Sequence, residues 1–207
     1  PEVTGTIGLM SFVDTVGGNS RLAQKFRREF QIVVIPLVNP DGVEHGHWRS
    51  NLGAADLNRD WRPFLQPESR ATRDAILSFA RQPGARPFVF LDFHSTHTNV
   101  YYAQPESQPV FPNDFTRRWL DATQRELPRF GFDRDNGHNL GQATSKAWAH
   151  ENFGIAAITW EFGYGTDRKM IRKAAAVGAE ELMRLLLEEV APPKSPPPVQ
   201  PPAPSAN

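Results

Sequence analysis

Three short polar clusters in this sequence carry side chains suited to hydrolytic chemistry. Asp92-Phe93-His94-Ser95-Thr96-His97 puts a histidine after one apolar run, and Trp160-Glu161-Phe162-Gly163 puts a glutamate after another. Asn39-Pro40-Asp41-Gly42 opens a long polar stretch to about Pro67, rich in Gly, Asn, Asp and Arg. A neutral imidazole holds a metal ion, a carboxylate takes a proton from water, and a guanidinium stabilises developing negative charge. A ligand, a base and a cation on one edge of a sheet suit metal-assisted hydrolysis. Alone, each is weak. A histidine after a strand is more often structural than metal-bound, and an acid there is commonly a helix cap. The ordered combination is what carries the reading.

The elements that must position these groups alternate between strand and helix. Val3 to Val16, with Ile7, Leu9, Met10, Phe12 and Val13, is apolar all round and predicts a buried helix ended by Gly17-Gly18. Phe30 to Val38, with Ile32-Val33-Val34-Ile35, reads as a buried parallel strand. Further strands are expected at Phe88–Phe93 and Ile155–Trp160, and helices at Glu68–Ala80, Asp114–Glu126, Ala143–Asn152 and Asp167–Val190. Such alternation implies an α/β sandwich around a mostly parallel sheet, whose sites form at the C-terminal ends of the strands. Residues 192–207 are mostly proline with Ser, Ala and Gln, a composition for an extended, disordered tail.

Composition narrows the function classes. The 207 residues are enough for one domain with its own core, with 39% hydrophobic and 22% charged residues. Lys plus Arg and Asp plus Glu both total 23, so charge gives no reason to expect nucleic acid or an anionic membrane as partner. No apolar run is long enough to span a bilayer, so no membrane insertion is expected. The absence of cysteine excludes disulfides, thiolate metal sites and a cysteine nucleophile. The opening Pro1-Glu2-Val3 has neither an initiator Met nor a signal sequence, and the chain is expected to be a piece of a longer protein.

The successive clusters Asn39-Pro40-Asp41-Gly42, His47-Trp48-Arg49, Asp56-Leu57-Asn58-Arg59-Asp60-Trp61, Asp92-Phe93-His94-Ser95 and Trp160-Glu161-Phe162-Gly163 resemble, in order and spacing, the motifs of the zinc carboxypeptidases of the carboxypeptidase A type. The Asn-Pro-Asp-Gly and Leu-Asn-Arg pieces most resemble the cytosolic-carboxypeptidase-like branch and its bacterial relatives. The resemblance implies a three-layer α/β/α sandwich, incomplete at the N-terminus, with residues 1–191 as the C-terminal portion of the catalytic domain. It implies one zinc ion and, as substrate, the C-terminus of a peptide or protein. It also inclines the expected location towards secreted or periplasmic.

Residue roles follow from the same resemblance. Pro1-Glu2-Val3-Thr4-Gly5 looks like the end of H-P-P-E-x-T-G, making Glu2 the second zinc ligand, with the first histidine two residues before Pro1. His94 would be the third ligand. Glu161 would be general base and then acid, and Arg49 would stabilise the oxyanion. Asn58 and Arg59 would grip the terminal carboxylate. Lys146, in Ala143-Thr144-Ser145-Lys146-Ala147-Trp148, aligns with the position that selects the C-terminal side chain; a basic residue there accompanies preference for glutamate in that branch.

Each assignment has a plainer counterpart. Glu2 can be a helix-start acid, the loop residues solvated ion pairs, and Lys146 a solvent-facing helical lysine. His45 and His47 form an H-x-H more often solvated than ligating, His97 can line the pocket or pack a loop, and His138 and His150 show nothing distinctive. Where many family members carry a tyrosine on a mobile loop, this chain has Asn136-Gly137-His138-Asn139-Leu140. Two other functions stay open: a zinc amidohydrolase that removes an acyl group from an amino acid, and a non-catalytic fragment or binding module.

Overall fold

The computed structural model describes residues 2–191; the proline-rich tail at 192–207 lies outside them. The chain begins with helices α1 (Val3–Gly17), α2 (Arg21–Glu29) and α3 (Pro40–Glu44), then a 3-10 turn at Leu57–Arg59 and α4 (Pro67–Ala80). Strands β1 (Val89–Thr96) and β2 (Val100–Tyr102) precede α5 (Phe115–Glu126), β3 (Asp133–Asp135), α6 (Ser145–Phe153), β4 (Ala156–Gly163) and α7 (Arg168–Glu189). The sheet order is β1-β4-β2-β3. β1 and β4 are parallel, as are β2 and β3, while β2 and β4 are antiparallel. This is the expected α/β class, with a mixed sheet.

The two faces of the sheet are covered differently. Ile158, Trp160 and Phe162 of β4 and Tyr101 of β2 point into the main core, filled by Phe12, Phe115, Trp119, Ile171 and Met183 of α1, α5 and α7. Trp160 alone touches Phe93, Tyr101, Trp119 and Phe162 at ring-centroid distances of 4.8 to 5.6 Å. The opposite face carries a smaller cluster of Trp61, Trp148, Ala149 and Ala157, with Ile76 and Leu77 of α4 packed against it. The three layers are therefore α1/α5/α7, the sheet, and α4/α6.

Two expectations are corrected. The run Ile32-Val33-Val34-Ile35 forms neither strand nor helix, with Ile32, Val33, Val34 and Leu37 39–46% exposed. Its β-branched residues favour extended backbone, but a strand also needs a neighbour to complete its hydrogen-bond ladder, and none pairs with it among the described residues. Helix α1 is also not buried all round. Its buried stripe is Thr4, Gly5, Gly8, Phe12 and Val16, facing the sheet and α7, while Val3 and Met10 are about half exposed. Helix α2 is an element the sequence reading missed. Ser20 caps it by accepting from the Ala23 amide, and Ala23 and Phe26 bury one side.

Candidate active site

Strand register brings the chemical residues together. His94 stands opposite Glu161 and Asp92 opposite Thr159 across the β1–β4 pair. Tyr102 stands opposite Thr159 across β2–β4, and opposite Asp135 across β2–β3. Side chains alternate along strands, so Asp92, His94, Thr159, Glu161, Tyr102 and Asp135 share one face. That face also receives the N-terminus of α6, and Trp160 and Phe162 fill the other.

Glu2 reaches the same place because α1 is bolted to β1. The Thr4 hydroxyl donates to Ser95 Oγ at 2.7 Å and lies 2.9 Å from the Phe162 carbonyl, and the Gly5 amide donates to Ser95 Oγ at 2.8 Å. The approach is so close that a Cβ on Gly5 would lie 2.6 Å from the His94 carbonyl oxygen, and one on Gly8 would overlap the Phe162 ring. Glu2 Oε2 then accepts from the Ser95 amide at 3.1 Å and lies 2.8 Å from His94 Nδ1. The Thr-Gly pair of the sequence motif thus acts as a docking device for the glutamate before it.

His94 is held on both sides, with Nε2 2.9 Å from Asp92 Oδ2. Burial alone would lower the imidazole's pKa. The Asp92 and Glu2 carboxylates outweigh that and hold it well above its ordinary value. Burial opposes ionisation of Asp92 too, but His94 and the Ser145 hydroxyl bring its pKa below the usual range. A carboxylate on Nε2 fixes the ring and leaves Nδ1 facing Glu2, the arrangement that carboxylate–histidine–zinc triads use. A carboxylate and an imidazole side by side, Glu2 and His94, are of the chemistry that would fit zinc as two protein ligands. Among the described residues no group of three or more His, Asp or Glu completes a metal site.

Glu161 is the perturbed acid of the site. Burial pushes its pKa up to about 7, with Glu2 and Asp92 adding to the rise and His94 and Arg49 opposing it. Arg49 is near enough to act on Glu161, yet its side chain is 61% exposed and, among the described residues, its one carboxylate contact is Asp56 at 3.4 Å. Asn58 sits in the 3-10 turn, where Asp56 caps the Asn58 amide at 2.9 Å. Its Oδ1 accepts from the Ser145 amide at 3.3 Å, which leaves the Nδ2 donors for a ligand. Arg59 is exposed, and its Nη1 donates to the Asn58 carbonyl at 2.7 Å. The loop that carries them is anchored by buried Asp60, which accepts from the Leu65 and Gln66 amides and from Ser69 Oγ.

Lys146 is 6% exposed, against the solvent-facing alternative. Its Nζ donates to the His138 carbonyl at 3.0 Å and reaches the Ala103 carbonyl at 3.5 Å, with no carboxylate in ion-pair contact among the described residues. Burial brings its pKa down to about 8, with Asp135 opposing. The pocket beside it is lined by Ala103, Gln104, His138, Leu140 and His150.

Sequence reasoning missed two residues here. Tyr102 stacks on His138 with ring centroids 3.9 Å apart, and burial and the Glu161 carboxylate raise its phenol pKa. His138, which showed no distinctive signal, lies 3.6 Å from Asp135 and feels both Lys146 and Arg59. Only the β2–β3 pairing reveals this proximity. His97 packs edge-on against Tyr164, and His47 Nδ1 lies 3.4 Å from the Asn51 carbonyl, so both have structural partners.

Residues 14–189 match the family model described as the Succinylglutamate desuccinylase/Aspartoacylase catalytic domain. The chain belongs to this family. Proteins similar to this chain include cytosolic carboxypeptidase 6 of Caenorhabditis elegans, 34% identical over 76 residues, which is 35% of this chain and 17% of that protein. Mouse cytosolic carboxypeptidase 4 is 38% identical over 85 residues, 39% of this chain and 8% of that protein. The family match and these relatives together support the carboxypeptidase-like family whose motifs this sequence resembles. The fold agrees. A metallo-carboxypeptidase from Burkholderia cenocepacia superposes with a TM-score of 0.66 at 22% identity, covering 91% of this chain and 53% of that one. A metallo-carboxypeptidase from Pseudomonas aeruginosa, in complex with (2-guanidinoethylmercapto)succinic acid, gives 0.61 at 18%, covering 90% and 54%. The chain spans about half of these structures and under a fifth of the curated relatives. Those relatives are cytosolic by name, which lends no support to a secreted or periplasmic location. No helix among the described residues is long and apolar enough to cross a membrane.

Proposed function

We propose that residues 1–191 form the C-terminal portion of a zinc-dependent carboxypeptidase domain that prefers acidic C-terminal residues. The observation that carries this reading is the single sheet face shared by His94 and Glu161, with Glu2 docked beside His94. Glu2 and His94 would hold the metal with a histidine two residues before Pro1. When bound, zinc supplies a Lewis acid for the scissile carbonyl and lowers the pKa of a water. Glu161, already poised near neutrality, takes a proton from water and gives it to the leaving amine. Arg49, exposed and loosely paired, is free to turn towards the developing oxyanion. The Asn58 amide and the Arg59 guanidinium bind the terminal carboxylate, which confines cleavage to the chain end.

Lys146 supports the acidic preference. The ammonium is hydrogen-bonded to carbonyls in a buried pocket, and among the described residues no carboxylate is in ion-pair contact with it, Asp135 acting only from a distance. A substrate side-chain carboxylate would supply that contact, whereas an apolar side chain would not and a basic one would be repelled. The test uses the protein extended upstream of Pro1, with peptides ending in Glu, Leu and Lys. Wild type should cleave Glu termini best, and Lys146→Met should lose that preference while still hydrolysing. Best cleavage of Leu or Lys termini would remove Lys146 from this role.

The family match favours a second reading, in which an N-acyl amino acid is the substrate. Water, base and metal would act alike on its amide bond. Adding N-succinylglutamate and N-acetylaspartate to the same panel separates the two. Turnover of these with inert peptides would replace the carboxypeptidase reading.

A further inference from the structure

We infer that Ser145 is a positioning residue that ties the metal ligand His94 to the substrate-binding residue Asn58. The inference rests on the proposed function for the roles of those two residues. Ser145 is 2% exposed and is the first residue of α6. Its hydroxyl donates to Asp92 Oδ2, the same oxygen that lies 2.9 Å from His94 Nε2. Its backbone amide donates to Asn58 Oδ1 at 3.3 Å. One residue therefore faces the metal side with its side chain and the substrate side with its main chain, and Lys146 follows it directly.

The hydroxyl is not used to cap its own helix. Thr144 performs that task, its Oγ1 accepting from the Ala147 amide at 3.2 Å. The Ser145 hydroxyl is thus left for Asp92, which also gains from lying at the positive end of the nine-residue helix. Asp92 has two oxygens and one imidazole to orient, and a buried donor restricts which oxygen faces His94 and at what angle. Without it the carboxylate rotates more freely and the imidazole is less firmly aimed. Outer partners of this kind typically alter metal affinity by about 10–100-fold.

The experiment measures zinc affinity by competition with a chromophoric chelator, in the protein extended upstream of Pro1 and without substrate. Ser145→Ala should weaken zinc binding about tenfold while circular dichroism and the melting transition show an intact fold. Ser145→Thr, which restores a hydroxyl, should recover most of that loss. Should Ser145→Ala fail to fold, Asp92→Asn is read instead and should weaken zinc at least as much. Wild-type affinity in Ser145→Ala, or in Asp92→Asn where that variant is the one read, overturns the inference, as does an alanine loss that threonine does not recover. Because no substrate is present, a protein that binds zinc but hydrolyses neither peptides nor N-acyl amino acids would refute the proposed function and leave the role of Ser145 decided by affinity alone.

Discussion

His94 and Glu161 stand directly opposite one another in the parallel pairing of β1 and β4, so an imidazole and a carboxylate leave the sheet side by side. Adjacent strands lie about 4.8 Å apart, close enough for one small reacting group to meet both. Asp92, two residues earlier on the same strand, lies 2.9 Å from His94 Nε2 and holds the ring on the side away from Glu2.

Glu161→Gln is therefore expected to separate metal binding from turnover. The amide fills the same space but cannot accept a proton from water. In the protein extended upstream, zinc content by atomic absorption should be unchanged, while kcat falls by about 10²–10⁴-fold. Near-normal turnover would remove Glu161 from the role of base.

Lys146 should weaken the fold at neutral pH. Its folded pKa is about 8 against an ordinary 10.5, because burial penalises the charged form. Between those values the unfolded chain binds more protons, so this residue makes stability rise as pH goes from about 8 to 10.5. Below 8 the penalty is fully present, up to roughly 3 kcal/mol. Lys146→Met should accordingly be more stable than wild type in urea unfolding at pH 7, and its advantage should shrink by pH 10. An advantage independent of pH would point to packing rather than charge.

Gly5→Ala should damage the site through the backbone. The added Cβ would lie 2.6 Å from the His94 carbonyl oxygen, so α1 must lift away and carry Glu2 with it. A stability loss of about 1–3 kcal/mol is expected, together with weaker zinc binding. Gly17→Ala, at the other end of the helix where a Cβ meets nothing within 4 Å, is the matched control and should change neither by much.

The 207-residue chain should bind zinc poorly and the upstream-extended protein should bind one ion tightly. A catalytic zinc needs three protein ligands, and the proposed Glu2 and His94 would supply two. Equilibrium dialysis followed by metal analysis of both proteins decides this. Stoichiometric zinc retained by the 207-residue chain would mean that the ligand set is wrong.

The sequence by itself determined the chemical vocabulary and most of the element order. His94, Glu161, Asn58 and Arg59 could be named from motifs because those motifs are local, spanning a few residues at a strand end or in a turn. β1, β4, α4, α5 and α7 were legible because each carries its own hydrophobic period and end signals. Tertiary structure decided what depends on partners distant in the chain. The Ile32-Val33-Val34-Ile35 run has the propensity of a strand and no neighbour to pair with, which no local pattern encodes. β2 and β3 are three residues each and too short to show a period, yet their pairing sets Tyr102 against His138. Ser145 and Asp92 are 53 positions apart, and the burial of Lys146 depends on how α6 packs against the sheet. A side chain's type is written in the sequence, whereas its solvent exposure and electrostatic neighbours arise only when strands and helices meet.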